Sequence, residues 1–413
     1  MTKFLKDNAM TLALLAGVAV GATCGIVFGD GVNCVKPVGD IFLNFVFTLV
    51  VPIVFFSISS SLCKMNNSGT AGKVLGYTAV AFSVTSIIAG IVAFLVCMVF
   101  PPLGEIDPAA MAGSMFDLST ASKPDTATAV VSAFTVDDFW KLFSKSNLLP
   151  MIIFAVILGF SVSLCGEKGK PFAQFLESGC EAMLKIMKLV MYVAPIGLGC
   201  FIANVIASVG PQILNGYVRV YFLYWIITLI LFFFAHTLYL FLFTGMKGVK
   251  TYWSNIMPPA LVAFATTSSI AALPANIEAT KKMGVSANVA DAVLPLGVNI
   301  HKDGSMTSTV VKVLFLTILC GGCTNSMETA MSAMFIAALS SIVMGAVPNG
   351  GVTGELLTCS LMGFDPKMAG IIIVIGTIVD MPATMLNSAS NSACAMIVDT
   401  LIYKKKRVLS SGK

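Results

Sequence analysis

Four polar side chains lie at helical spacing in an apolar stretch near the end of the chain. Asp380, Thr384, Asn387 and Asn391 are related by offsets of 4, 7 and 11 residues, so a helix places them on one face. A carboxylate can hold an ammonium group, and hydroxyl and amide groups can bind a polar solute or a cation. The stripe therefore predicts a polar lining. Hydrogen bonding between helices is the alternative, and it stays open for the serine and threonine hydroxyls.

A second polar cluster, made of His301, Lys302 and Asp303, interrupts the apolar stretch from about 288 to 320. A charged side chain at mid-membrane costs about 2.5 to 3.5 kcal/mol on insertion scales, so it persists where it pairs or lines a path for a solute or ion. An imidazole changes its charge near neutral pH, which makes His301 the better candidate for proton chemistry. The other histidine, His236, lies alone in an apolar stretch and is predicted to be a packing residue.

The elements that must position these residues are membrane helices. Of the 413 residues, 57% are hydrophobic and 11% are charged, against roughly 25% charged in soluble domains. About 20 apolar residues in a helix cross a membrane. The polar interval 103–127 is too short for a soluble domain, so we expect an all-α polytopic membrane protein. The first six predicted spans are 9–29, 40–63, 75–100, 148–165, 189–209 and 217–245.

Basic residues predict the orientation of these spans, because lysine and arginine mark the cytoplasmic side. They fall at alternate ends of successive spans, which predicts that both termini are cytoplasmic. The N-terminal apolar run is too long for a typical signal peptide, so cleavage is not expected. The net charge of +5 reflects these flanking residues rather than a nucleic-acid partner. The basic residues that flank the spans are Lys3, Lys6, Lys64, Lys73, Lys168, Lys170, Lys247, Lys250, Lys281, Lys282 and 404–407.

Two later segments, 252–280 and 327–361, each consist of two short apolar halves around a polar or glycine-rich centre. The centres are 265–270 and 345–351, and neither half is long enough to cross a membrane alone. Each segment therefore predicts a helix, a turn and a helix that enter and leave on one side. Paired interruptions of this kind mark the binding site of many secondary transporters. Two ordinary kinked spans are the alternative.

Enzymatic function has no support in the sequence. No phosphate-binding GxxxxGK loop, HExxH zinc motif or GxSxG nucleophile motif occurs. Cys320 and Cys323 form a lone CxxC without a second pair, and the 11 cysteines are scattered. We therefore expect neither a resident cofactor nor a disulfide framework. The expected partners are a small solute, a transported cation and the lipid bilayer.

Five short motifs follow one another along the chain: 51–55 (VPIVF), 194–197 (APIG), 268–269 (SS) before 273–274 (LP), 302–305 (KDGS) and 347–351 (VPNGG). In this order they resemble the dicarboxylate/amino acid:cation symporter family, the glutamate transporter homologues, nearly end to end. The resemblance implies eight transmembrane helices, two re-entrant hairpins, a homotrimer in the cytoplasmic (inner) membrane and an elevator movement of the transport domain. It assigns 1–250 to six spans including the scaffold, 251–403 to the transport core and 404–413 to a basic cytoplasmic tail.

The resemblance also implies site residues. Asp380 would hold a substrate ammonium, Asn387 its α-carboxylate, and Asp303 and Asn387 are the positions where sodium is possible. The expected substrate-binding set is Ser268, Ser269, Val347, Pro348, Gly350, Asp380, Ala383, Thr384 and Asn387. The expected cation-binding or coupling set is Gly297, Asn299, His301, Lys302, Asp303, Asn387 and Asn391.

Departures from the family pattern refine this expectation. Ala383 and Thr267 stand where acidic-substrate or many bacterial members carry an arginine, a bidentate carboxylate partner that is hard to replace. We therefore expect a small neutral amino acid such as serine, alanine or threonine. His301, Lys302 and Asn391 alter the ion sites, which predicts weakened sodium dependence, with proton coupling or exchange instead. The alternatives are a C4-dicarboxylate or acidic amino acid symporter and, from other classes, an ion channel or a receptor without flux.

Overall fold

The computed structural model describes residues 9–63, 69–104, 135–144, 147–209, 212–346, 351–363 and 368–410. These residues form fourteen α-helices with short 3-10 and π-helical links, and the described ranges contain no β-strand. The helices are α1 (Ala9–Phe28), α2 (Lys36–Cys63), α3 (Gly69–Val99), α4 (Leu148–Leu164), α5 (Lys170–Tyr192), α6 (Ala194–Val209), α7 (Gln212–Leu229), α8 (His236–Thr266), α9 (Ser269–Lys282), α10 (Ala287–Ile300), α11 (Asp303–Leu319), α12 (Met327–Ala346), α13 (Gly351–Leu361) and α14 (Ala369–Ser410).

Four stretches of the described chain are long and apolar enough to cross a membrane, and α5 with α6 forms a fifth that is bent by 60°. The two longest stretches have 49 and 54 residues, and each contains a break at a glycine with positive φ, Gly29 or Gly245. Each is long enough for two crossings. The expectation of eight crossings stays a prediction. The stretches are Leu12–Ser60, Lys73–Val99, Ile213–Thr266 and Ala369–Tyr403.

Two predicted spans are broken in the structure. The span predicted at 189–209 divides at Val193, because Pro195 has no amide hydrogen and cannot continue the hydrogen bonding of α5. The span predicted at 288–320 divides at His301 and Lys302, which have non-helical backbone angles between α10 and α11. The second break places two of the predicted site residues where the backbone leaves the helix.

The longest helix, α14, lies at the centre of the site region. It packs against the hairpin helices α8, α9 and α13, the broken pair α10 and α11, and also α3 and α7. By contrast, α1, α2, α4, α5 and α6 pack mainly on one another. The helices that carry the candidate residues therefore form one packed group, although the predicted domain boundary at residue 250 remains a prediction.

Candidate functional site

The first hairpin, formed by α8 and α9, turns at Thr267 and Ser268. Thr267 has φ 49° and ψ 29°, the left-handed conformation that β-branched residues rarely adopt, and α8 ends there. Ser268 caps α9, because its side chain accepts a hydrogen bond from the Ala271 amide at 3.2 Å. The next residue, Ser269, is buried. The predicted tip residues Ser268 and Ser269 are thus held in a tight turn that faces the packed group.

The break between α10 and α11 is supported from α14. The side-chain oxygen of Asn387 accepts hydrogen bonds from the amides of Gly304 at 2.7 Å and Ser305 at 3.3 Å. These are first-turn amides of α11, which have no partner within their own helix. Lys302 precedes the helix and supplies no capping side chain. Asn387 therefore positions α11, and only its amide nitrogen, with a long 3.5 Å contact to Ser305, remains suited to a solute carboxylate.

The predicted solute pocket joins α14 to the tip of the first hairpin. Asp380 is partly buried and accepts a hydrogen bond from Thr384 at 3.3 Å. The ammonium of Lys302 donates to Ser269 at 3.4 Å and lies within Coulombic range of Asp380. Ala383 is buried and brings no charge to this face. One carboxylate and one ammonium, on different helical segments, thus lie near each other at the predicted solute site.

A second group, which we term the coupling cluster, consists of Thr85, His301, Asp303 and Asn391. His301 is 1% exposed, with Nδ1 2.7 Å from Asn391 Oδ1 and Nε2 2.8 Å from Thr85 Oγ1. Its Nε2 also lies 3.0 Å from Asp303 Oδ1. The ring of Phe82 stacks on the imidazole at 4.1 Å between centroids. The cluster therefore draws on α3, the α10–α11 break and α14.

The partners of His301 match a protonated ring. An amide oxygen and a carboxylate oxygen both accept hydrogen bonds, so two donors, the imidazolium form, satisfy both contacts. Rotation of the Asn391 amide by half a turn would present an NH2 group to Nδ1 and fit the neutral ring instead. The Asn391 nitrogen has no hydrogen-bond partner in its present orientation. The neutral ring is also accommodated without this rotation if Nδ1 keeps its hydrogen and the Thr85 hydroxyl donates to Nε2.

Sodium was expected to be possible at Asp303 and Asn387, and this stays a prediction; in the present arrangement both side chains already accept hydrogen bonds. Asp303 Oδ1 accepts a hydrogen bond from Ser86 at 2.8 Å and meets His301, while Asn387 Oδ1 faces two backbone amides. Oxygens that already face donors cannot also coordinate a cation from that side. The described residues also contain no group of three histidine, cysteine or acidic side chains that could hold a metal ion.

Not all of the predicted cation residues reach this cluster. Asn299 is exposed, because its position on α10 points outward, and its side chain donates to the Pro295 carbonyl at 2.8 Å. Gly297 has a steric role, since a Cβ at this position would collide with the amide of Asn391. The predicted hairpin residues Val347, Pro348 and Gly350 lie outside the described residues.

Several polar residues of the site were not predicted. Thr85 and Ser86 stand on α3, in an apolar span without any charge, so nothing in their local sequence marks them. A buried ion pair was also missed, with Lys312 on α11 2.6 Å from Glu355 on α13. Charges inside apolar stretches would have identified both of its members. His236 is hydrogen-bonded through both ring nitrogens, as a packing histidine requires.

A comparison with known proteins identifies the family of this chain. A family model, the sodium:dicarboxylate symporter family, matches residues 10–401. The chain belongs to this family. It is therefore a secondary transporter and a multi-pass membrane protein, which is consistent with the lack of enzymatic motifs.

Relatives with known activities cover nearly the whole length of this transporter. It is 27% identical over 405 residues to a proton/sodium-glutamate symport protein of Bacillus caldotenax, covering 94% of this chain and 92% of the relative. It is 27% identical over 410 residues to a proton/glutamate-aspartate symporter of Bacillus subtilis, covering 93% of each. It is 26% identical over 378 residues to a C4-dicarboxylate transport protein of Mesorhizobium japonicum, covering 88% and 82%.

These names bear on the expected solute. They describe glutamate, aspartate and C4-dicarboxylates as cargo, with protons or sodium as coupling ions. They support cation-coupled transport of a small solute by this chain. They give no support to the expected neutral amino acid and agree with the acidic alternative.

Proposed function

We propose that this transporter moves a small amino acid, preferably a neutral one, together with a proton. The observation that carries the proposal is that one carboxylate, Asp380, and one ammonium, Lys302, lie within Coulombic range of each other, with Lys302 hydrogen-bonded to the tip of the first hairpin. An amino acid zwitterion carries the complementary pair of charges. Its ammonium would lie at Asp380 and Thr384, and its carboxylate between Lys302 and the turn at Ser268 and Ser269.

Neutral amino acids fit this charge arrangement better than acidic ones. A second carboxylate needs a further cation, and Ala383 provides none on the pocket face of α14. Among the described residues, the buried Lys312 is already paired with Glu355. Burying an unpaired carboxylate is expensive in a low-dielectric site, so an acidic side chain is disfavoured.

The coupling cluster supports a proton as the driving ion. The ionisable groups that line the pocket or are buried around it include Lys302, Lys312, Asp303, Glu355 and Asp380. Two ammonium groups against three carboxylates leave one negative charge. One proton on His301 balances that charge, and the ring already lies against Asp303. Loading a single proton would thus neutralise the transport core before it crosses the membrane.

The mode of movement follows from family membership and is part of the same proposal. α14 and the hairpin helices would move as a unit against a scaffold built from α1, α2 and α4–α6. This elevator movement would take place in a homotrimer in the cytoplasmic membrane, with both termini cytoplasmic. The separate packing of the two helix groups supports the division.

One observation favours a second candidate, an acidic amino acid or a C4-dicarboxylate. Lys302 could hold a carboxylate of such a solute, and the relatives named above carry solutes of this class. For a dicarboxylate without an amine, Asp380 would face like charge and oppose binding. An acidic amino acid avoids this conflict only in part.

Uptake by the purified protein in liposomes tests the proposal. Radiolabelled serine, alanine, threonine, aspartate and succinate should be compared at fixed pH, with and without a proton gradient. We expect saturable uptake of one or more neutral amino acids that responds to the proton gradient. Preferential uptake of aspartate would replace the neutral solute by the acidic candidate, and robust uptake of succinate would remove the role given to Asp380. Conductance that does not saturate would indicate a channel.

A further inference from the structure

The Lys312–Glu355 pair is the most deeply buried lysine–carboxylate pair in the described part of the chain. The two side chains are 1% and 2% exposed, and Nζ lies 2.6 Å from Oε1. The other lysine–carboxylate pairs among these residues are at least 39% exposed on each side. Burial of two charges is offset only by good geometry and further hydrogen bonds. A pair with so few partners therefore calls for a functional explanation.

The pair packs against the polar stripe of α14 at Gly376. Gly376 is one turn before Asp380, so both residues face the same side of the helix. A Cβ at Gly376 would collide with Glu355 Oε1 and would lie 3.3 Å from Lys312 Nζ. Glycine at this position thus makes room for the pair. Both charges are within Coulombic range of Asp380.

The hydrogen bonding of Glu355 is incomplete. Its Oε1 meets Lys312, whereas its Oε2 is buried without a hydrogen-bond partner. A buried carboxylate oxygen without a partner is costly, so packing alone does not explain this residue. The Glu355 carboxylate lies on α13, the second helix of the predicted hairpin 327–361, while the Lys312 ammonium lies on α11. The contact therefore joins the hairpin to the broken helix beside the pocket.

We propose that Glu355 is a built-in occupant of an anion position and that the pair determines solute selectivity. Its carboxylate holds the Lys312 ammonium in the way that the side-chain carboxylate of an acidic amino acid would. One helical turn, about 5.4 Å, separates Gly376, which the pair contacts, from Asp380 along α14, and this rise is comparable to the length of a short acidic amino acid. Because Glu355 occupies the anion position, the Lys312 ammonium is not available to an acidic solute. This inference rests on the proposed function, because Asp380 must hold the solute ammonium.

The affinities of serine and aspartate, measured by titration calorimetry on detergent-purified protein, test the inference. Glu355→Gln removes the competing charge and leaves Lys312 unpaired. We expect the aspartate affinity, relative to that of serine, to rise at least about 10-fold, because a desolvated ammonium gains a carboxylate partner. Glu278→Gln, a matched change in an exposed pair with Lys282, should leave the ratio unchanged.

The double variant Lys312→Met/Glu355→Leu separates selectivity from packing. It replaces the pair by apolar side chains, a change that buried ion pairs often tolerate. It should bind serine and show no gain for aspartate, because the cation is gone. If Glu355→Gln does not fold, Glu355→Asp withdraws the carboxylate by one methylene and should give a smaller gain of the same sign.

Each outcome of the titrations decides one question. The selectivity role is overturned if Glu355→Gln leaves the ratio of aspartate to serine affinity unchanged, or if the double variant raises this ratio equally. The unmodified protein tests the proposed function separately, since its own preference between serine and aspartate does not depend on the variants. A gain in Glu355→Gln supports the inference whichever solute the unmodified protein prefers.

Discussion

One buried polar group lies at the break before α11 and another lies within that helix, and the two differ in how completely their charges are satisfied. At the break, each ring nitrogen of His301 has a partner, and the partners come from α3, α11 and α14. Three turns later, Lys312 meets one oxygen of Glu355, and the other oxygen has no hydrogen-bond partner. Burial of a charged group alone therefore does not determine its functional role. A connected network can take up a proton with little rearrangement, whereas an isolated pair depends wholly on its two members.

Asp380 should produce the largest effect, because it lies within Coulombic range of both Lys302 and Lys312. Asp380→Asn removes the partner of the solute ammonium. We expect amino-acid uptake to fall at least about 100-fold, in line with the loss of one member of a buried charge pair. Asp291→Asn, which changes an exposed carboxylate, serves as the control. Uptake within a few-fold of the unmodified level would place the solute elsewhere.

Loss of one member of the Lys312–Glu355 pair should lower the stability of the protein. Lys312→Ala leaves Glu355 buried without a counter-charge, so unfolding should become easier by about 3 to 5 kcal/mol. Thermal unfolding in detergent measures this, and Lys282→Ala at an exposed pair should change stability by less than about 1 kcal/mol. If the two variants unfold alike, the buried contact is not a significant interaction and the comparison between the clusters fails.

Substitutions at the coupling cluster and at the neighbouring Lys302 should change the ion dependence of uptake rather than the stability of the protein. Lys302→Met with His301→Asn removes the built-in cation and the titratable ring. Sodium should then stimulate uptake several-fold more than in the unmodified protein, because Asp303 loses its nitrogen partner. Asn391→Asp added to this pair should increase the response further. An unchanged response to sodium in all three backgrounds would contradict the role of the ring.

A cation added to α14 should produce the smallest effect. Ala383→Arg introduces a bidentate carboxylate partner on the pocket face, and we expect a shift of about 10-fold in preference toward aspartate over serine. The buried position of Ala383 limits this gain, because the longer side chain must displace its neighbours. Competition of labelled serine uptake by aspartate measures it. A loss of all uptake in a folded variant would show that the pocket cannot accept the side chain.

The sequence predicted those features that depend on neighbours along the chain. The stripe of Asp380, Thr384 and Asn387 follows from helical spacing, and the structure has them on one helix. The turn of hairpin 1 was expected within 265–270 and lies at Thr267 and Ser268. These features require only the periodicity of a helix and the conformational limits of the backbone.

Features that join distant segments could not be predicted in this way. Thr85 meets His301 across 216 residues, and Asn391 meets it across 90. Asn299 looked suitable by residue type, but the phase of α10 turns it to an exposed face. The sequence identifies the charged and polar residues, but tertiary packing determines which of them are in contact.

Proton-driven uptake in sodium-free liposomes tests the central claim most directly. Labelled serine or alanine should be offered at several external pH values with a fixed internal pH, and again with sodium at constant pH. Proton coupling through His301 predicts accumulation that follows the inward proton gradient without sodium and depends on His301. Accumulation that requires sodium, rises steeply with more than one ion per solute and ignores the proton gradient would contradict it.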